Sequence, residues 1–116
     1  MTITRLQPGK RMSQAVKHGN TVYLAGQVAN DPNGPIEQQT REVLAAIDKL
    51  LAEAGTSKSK LLSCQVILNN IGDFAAMNSV YDAWIDPANP PARACIEARL
   101  AAPALKVEII ATAALD

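Results

Sequence analysis

Aromatic residues are scarce in this chain: one Trp, one Phe and two Tyr among 116 residues. So few rings leave little for stacking on nucleic-acid bases. Charge of one sign is lacking too, because 11 Lys and Arg balance 11 Asp and Glu. With no basic run there is no electrostatic footprint for a phosphate backbone or an anionic membrane surface, so neither nucleic acid nor membrane is an expected partner. No apolar run approaches the roughly 18 residues that span a bilayer. The start, Met1 to Arg11, is polar and basic without the apolar stretch of a secretory signal, and a cytoplasmic location is expected. Two cysteines, Cys64 and Cys95, stand apart with no C-x-x-C pair and no neighbouring His. They support neither a disulfide framework nor a metal site. A chain of this length makes one domain, 1–116, burying about two-thirds of its unfolded surface.

What is abundant is alanine, 20 residues. Core bulk must then come from Leu, Ile and Val, while small side chains let elements approach closely. The chain divides into recognisable elements. Met12 to Val16 and Thr21 to Ala25 flank Gly19-Asn20, a turn signal, and read as a hairpin with His18 at its tip. Asn30 to Pro35 is a dense cluster of turn formers and reads as a loop. Val43, Ile47, Leu50, Leu51 and Ala54 share one helical face, with Gly55 as the terminating residue. Leu61 to Asn69 reads as a strand. Asp73 is placed to cap a second helix whose Phe74, Met77, Tyr81 and Trp84 form a core-facing stripe, ended by Asp86-Pro87. Ala92 to Leu100 and Val107 to Leu115 read as the last strands. The order is two strands, an optional third, helix, strand, helix and two strands, an α+β architecture with helices on one sheet face.

Two of these strands carry apolar residues on both faces, Val22 to Ala29 and Val107 to Ala114. Two helices cover only one face of a sheet, so the second needs another cover. Another copy of the chain in a closed assembly supplies it most simply, and a loop folded over the face is the alternative. In Ala92 to Leu100 the residues alternate, with Arg93, Cys95, Glu97 and Arg99 on one side. If that side is the one away from the helices, Arg93 and Glu108 become charges at a partly dry boundary, where they must be paired or used. Arg93 offers a permanently charged fork for a carboxylate, stiffened by Pro90-Pro91 before it; an ion pair with Glu97 or Glu108 is the other reading. Glu108, set among apolar residues, suits a general acid or base, or else a paired carboxylate. Cys95 lacks the neighbouring base a nucleophilic thiolate needs. Trp84, at the end of its stripe, is placed to reach a cleft. Gly26 in an apolar strand marks a bulge or the close approach of another group.

These same residues carry a resemblance that covers nearly the whole chain. Gly19 to Gln27, ending in Leu24-Ala25-Gly26-Gln27, resembles the early strand of the RidA/YjgF family of imine deaminases. Asp73-Phe74 through Asn78 and Tyr81 resembles its second helix, and Pro91-Ala92-Arg93-Ala94-Cys95 followed by Val107-Glu108-Ile109 resembles its C-terminal signature. The resemblance implies a chorismate-mutase-like α+β fold, a mixed sheet with two helices on one face, assembled as a homotrimer with clefts between subunits. It implies hydrolysis of enamines and imines, such as 2-aminoacrylate and 2-iminopropionate, to 2-keto acids and ammonia, with no cofactor. Arg93 would clamp the carboxylate of a 2-imino acid, the backbone at Cys95 and Gly26 would orient substrate or water, and Glu108 would position the attacking water. The chain departs from the family in carrying Met12 where a cleft Tyr is usual and Ala25 where a Ser precedes Gly-Gln. Two lost hydroxyls imply a more apolar pocket with altered substrate preference. They also permit a non-catalytic trimer that binds small carboxylates. Endoribonuclease activity, attached to some relatives, is disfavoured by the neutral charge, the few aromatics and the single His.

Overall fold

The computed structural model describes residues 1–116. Six strands form one sheet: β1 (Ile3–Leu6), β2 (Ala15–His18), β3 (Thr21–Leu24), β4 (Leu61–Leu68), β5 (Ala92–Glu97) and β6 (Val107–Ala114). Their spatial order is β1-β2-β3-β6-β4-β5. All neighbours are antiparallel except β4 and β5, which run parallel. Helix α1 (Ile36–Ala54) links β3 to β4, and α2 (Phe74–Trp84) provides the crossover that a parallel pair requires. A third strand does precede α1, but it is Ile3–Leu6, ahead of the hairpin, whereas the sequence order set the optional strand after it, where the structure has none.

The helical periodicity of α1 translates directly into packing. Val43, Ile47, Leu50, Leu51 and Ala54 are all buried, and Gly55 takes the left-handed conformation (φ 88°) that closes the helix, its amide donating to the Ala52 carbonyl. Gly19, at φ 62°, makes the β2–β3 turn. Beneath α1 and α2 the sheet contributes Cys64, Val66, Leu68, Val107, Ile109, Ala111 and Ala113 to the core. Every second residue of β6 is buried here, as period-2 alternation demands.

Three expectations need correction. The start of α2 is built by a 3₁₀ turn, Ile71–Asp73, capped by Asn70, whose side chain accepts from the Gly72 amide at 2.8 Å; Asp73 makes no capping hydrogen bond. The fifth strand stops at Glu97, three residues early, because its partner β4 ends at Leu68, whose carbonyl takes the last bond from the Ala98 amide at 3.0 Å. The face assignment of that strand is also reversed. Register pairs Arg93 and Ala111 with buried Cys64, which places Arg93 and Cys95 on the helix side and turns Ala92, Ala94 and Ile96 away from the helices.

The face opposite the helices has no cover within the chain. Tyr23 and Ile96 remain 51% and 43% exposed on it, and no loop folds over them. Ile110, on the same face, is only half-buried.

Candidate functional site

Apart from Trp84, the residues singled out in the sequence fall into two groups on opposite faces of the sheet. On the helix side, at the outer edge, Arg93 leaves β5 and lies over α2. Its guanidinium carbon sits 4.7 Å from the centre of the Tyr81 ring and 5.9 Å from that of Phe74, and Nη1 donates to Asn78 Oδ1 at 2.7 Å. Every one of these holders is uncharged. Glu97, offered as an ion-pair partner, accepts instead from the Ile71 amide at 2.8 Å. Exposed Arg93 therefore keeps both its charge and most of its N–H donors available.

Behind the guanidinium lies a buried layer. Tyr81 is buried, and the Cys64 thiol lies near its hydroxyl. Burial pushes the Cys64 thiol up from its usual range, and burial together with that neighbouring thiol pushes the Tyr81 phenol up to about 12. Cys95, half-buried and two residues beyond Arg93, is likewise pushed up by burial, against the lowering influence of Arg93. Both thiols are thereby held in the protonated form at neutral pH, a poor starting point for a nucleophile.

On the open face, β3 ends at Leu24 and Gln27 re-pairs with Ile109 through reciprocal backbone bonds of 3.0 and 3.1 Å. Ala25 and Gly26 form the interruption between. Glu108, next to Ile109 on β6, presses its carboxylate against Gly26: a β-carbon built there would lie 2.9 Å from Glu108 Cδ and closer still to one carboxylate oxygen. The Ala25 amide donates to the Gln14 carbonyl at 2.9 Å, which draws the segment that includes Met12 alongside. Met12 itself is 49% exposed.

Trp84 joins neither group. Its indole N–H donates to Asp48 on α1 at 2.8 Å and Lys58 lies 5.2 Å above its ring, so it forms part of a shallow groove of about 480 Å³ between the two helices. The expected core stripe also divides: Met77 and Tyr81 are buried, whereas Phe74 is 41% exposed beside Arg93. Two contributors escaped the reading of the residues as chemistry, Asn78 and the Tyr81 ring. The available signal was the spacing 74, 78, 81, one stripe of α2 in which a single amide interrupts apolar residues. Also unanticipated was buried Gln39. It donates to the carbonyls of Pro32, Gly34 and Ala104 and accepts from the Lys106 amide, joining the loop before α1 to the approach of β6.

No three His, Cys, Asp or Glu side chains converge closely enough to hold a metal ion. No helix is long and apolar enough to cross a membrane.

Comparison with known proteins adds an independent line. Residues 2–115 match the family model described as Endoribonuclease L-PSP. A RutC family protein of Haemophilus influenzae is 47% identical over 114 residues, covering 95% of this chain and 96% of the relative. The RutC family protein YoaB of Escherichia coli (strain K12) is 39% identical over 115 residues, covering 99% of this chain and all of that one. The crystal structure of a YjgF protein family member from Neisseria meningitidis superposes with a TM-score of 0.97 at 41% identity, covering 100% of this chain and 97% of the other.

Proposed function

Given that the chain belongs to the Endoribonuclease L-PSP family, whose relatives bear the RutC and YjgF names, we propose that it hydrolyses 2-imino acids and their enamine tautomers to 2-keto acids and ammonia. The observation that carries this reading is Arg93: a guanidinium held by uncharged groups, exposed, with its fork free for a small carboxylate.

The chemistry asks little of a protein. An iminium carbon is already electrophilic, so the site must hold the substrate, aim a water and move one proton. In the proposed mechanism Arg93 grips the carboxylate, while backbone groups near Cys95 and Gly26 orient substrate and water. Glu108 takes a proton from water as its oxygen bonds to the imine carbon, and returns it to the nitrogen. The carbinolamine then loses ammonia and leaves the keto acid.

Arg93 and Glu108 lie on opposite faces of one sheet, so within a chain they do not meet. The reading therefore places the cleft between copies, with Arg93 from one and Gly26 and Glu108 from its neighbour, in a homotrimer. The uncovered apolar face supports such an assembly. Fully burying a side chain such as Ile contributes about 1.5–3 kcal/mol, so several of them offset the cost of association.

The test generates several 2-imino acids with an amino acid oxidase and follows their decay. Acceleration over buffer that disappears in Arg93→Ala is expected. Decay at the buffer rate for every imino acid overturns the reading, and 2-keto acid binding without turnover points to a carboxylate-binding trimer, which the missing hydroxyls at Met12 and Ala25 permit.

A further inference from the structure

We propose that Tyr81 is a positioning residue for Arg93, its ring serving as the seat that holds the guanidinium ready to take a carboxylate through two parallel hydrogen bonds. The inference rests on the carboxylate-binding role of Arg93 and deepens it.

An exposed arginine on an edge strand is ordinarily mobile, and fixing it on a ligand costs side-chain entropy. An ion pair would fix it beforehand but would also occupy the charge. Tyr81 fixes it differently. The ring centre is 4.7 Å from the guanidinium carbon, within the range where a cation is attracted to a π-face. This attraction uses none of the N–H donors, and only Asn78 takes one.

A seat must itself be immobile, and the Tyr81 ring is held from behind. It is buried, packed in the same core cluster as Cys64 of β4. Its centre is 6.0 Å from that of Trp84 at a tilt of 54°. Trp84 is in turn anchored to α1 through Asp48. A continuous chain of side chains thus runs from α1 through Trp84 and Tyr81 to the guanidinium at the sheet edge. Trp84 accordingly acts behind the site, where the sequence pointed to a place within the cleft. The ring, and not the hydroxyl, is what touches Arg93.

The experiment compares the intact protein with Tyr81→Phe and Tyr81→Leu, reading 2-oxobutanoate affinity by calorimetry and KM against kcat for imine decay. Tyr81→Phe keeps the π-face and is expected to stay within about twofold of the parent. Tyr81→Leu keeps apolar bulk but no π-face, and is expected to weaken binding and raise KM by roughly five- to tenfold with kcat changed less than twofold. Equal losses in both variants, or none in Tyr81→Leu, overturn the proposal. Should Tyr81→Leu not fold, the parent alone decides it: the Arg93 δ-protons, assigned by their loss in Arg93→Lys, are expected upfield through the ring current, and unshifted resonances overturn it. If Arg93→Ala binds 2-oxobutanoate as the parent does, the carboxylate-binding role fails, while the proton shifts still report the seat separately.

Discussion

Gly26 and Glu108 share a space that a single methyl group would fill: the carboxylate of one lies where the β-carbon of any other residue at position 26 would stand. The Gly26 backbone is not left-handed, since positive φ among the glycines occurs only at Gly19 and Gly55. Gly26 is therefore required for room and not for its conformational freedom.

Gly26→Ala is accordingly expected to fold normally and to displace Glu108. The clash falls on the far end of a flexible side chain, so the melting temperature should shift by no more than a few degrees. Imine hydrolysis should fall by roughly 10- to 100-fold, the usual effect of misplacing a reacting group by about 1 Å. Paired calorimetric melting and kinetics check this, and an unimpaired rate would remove Glu108 from the reaction.

Subunit mixing tests the shared cleft. Arg93→Ala and Glu108→Gln should each be inactive alone. Co-expressed in equal amounts, they should recover roughly a quarter of parent activity, the chance that random assembly sets an intact Arg93 beside an intact Glu108 of the neighbour. Failure to recover any activity in verified mixed assemblies would argue for a site within one chain.

The buried phenol predicts a pH effect on stability. Because the folded state pushes the Tyr81 phenol up to about 12 from 10, the stabilisation linked to its proton is complete below pH 10. Above that, the unfolded chain ionises first, and the stabilisation is lost as pH rises through 12. Urea unfolding between pH 9 and 12 should show the parent losing stability more steeply than Tyr81→Phe. Parallel curves would contradict the assignment.

Gln39→Ala should be among the more damaging substitutions away from the site. It leaves three carbonyls and one amide without their partner, the Gly34 carbonyl in a buried setting and the others in partly buried ones. A loss of ~2–4 kcal/mol is expected by urea denaturation at neutral pH. A loss below about 1 kcal/mol would mean that water replaces the amide.

The helices and most strands were legible because their signals are local. Val43 through Ala54 repeat with the period of a helix, and the glycines at 19 and 55 mark chain reversals in the sequence itself. What was misread depends on register. Which face of β5 carries Arg93 is decided by its pairing with β4, where Cys64 stands opposite Arg93, and a slip of one residue would reverse every side chain. No alternation pattern within a strand exposed on both faces settles that choice. The end of β5 likewise follows from the length of its neighbour. Asn78 was visible as a polar interruption in the α2 stripe, but its use became clear only when β5 placed Arg93 beside it. Gln39 carried no signal, because its four partners come from loops that only the complete fold brings together.

The sheet that separates Arg93 from Glu108 also divides the candidate site residues of one chain into two neighbourhoods. The guanidinium rests on α2, whereas Ala25, Gly26 and the Met12 segment gather on the far side around β6. Substitutions that reshape the pocket near Met12 and Ala25 touch nothing that seats the guanidinium. A cleft assembled between copies would therefore join a carboxylate grip built on one side of the sheet to a pocket wall built on the other, and a substitution at Met12 or Ala25 would change the wall without removing the α2 residues that seat the guanidinium.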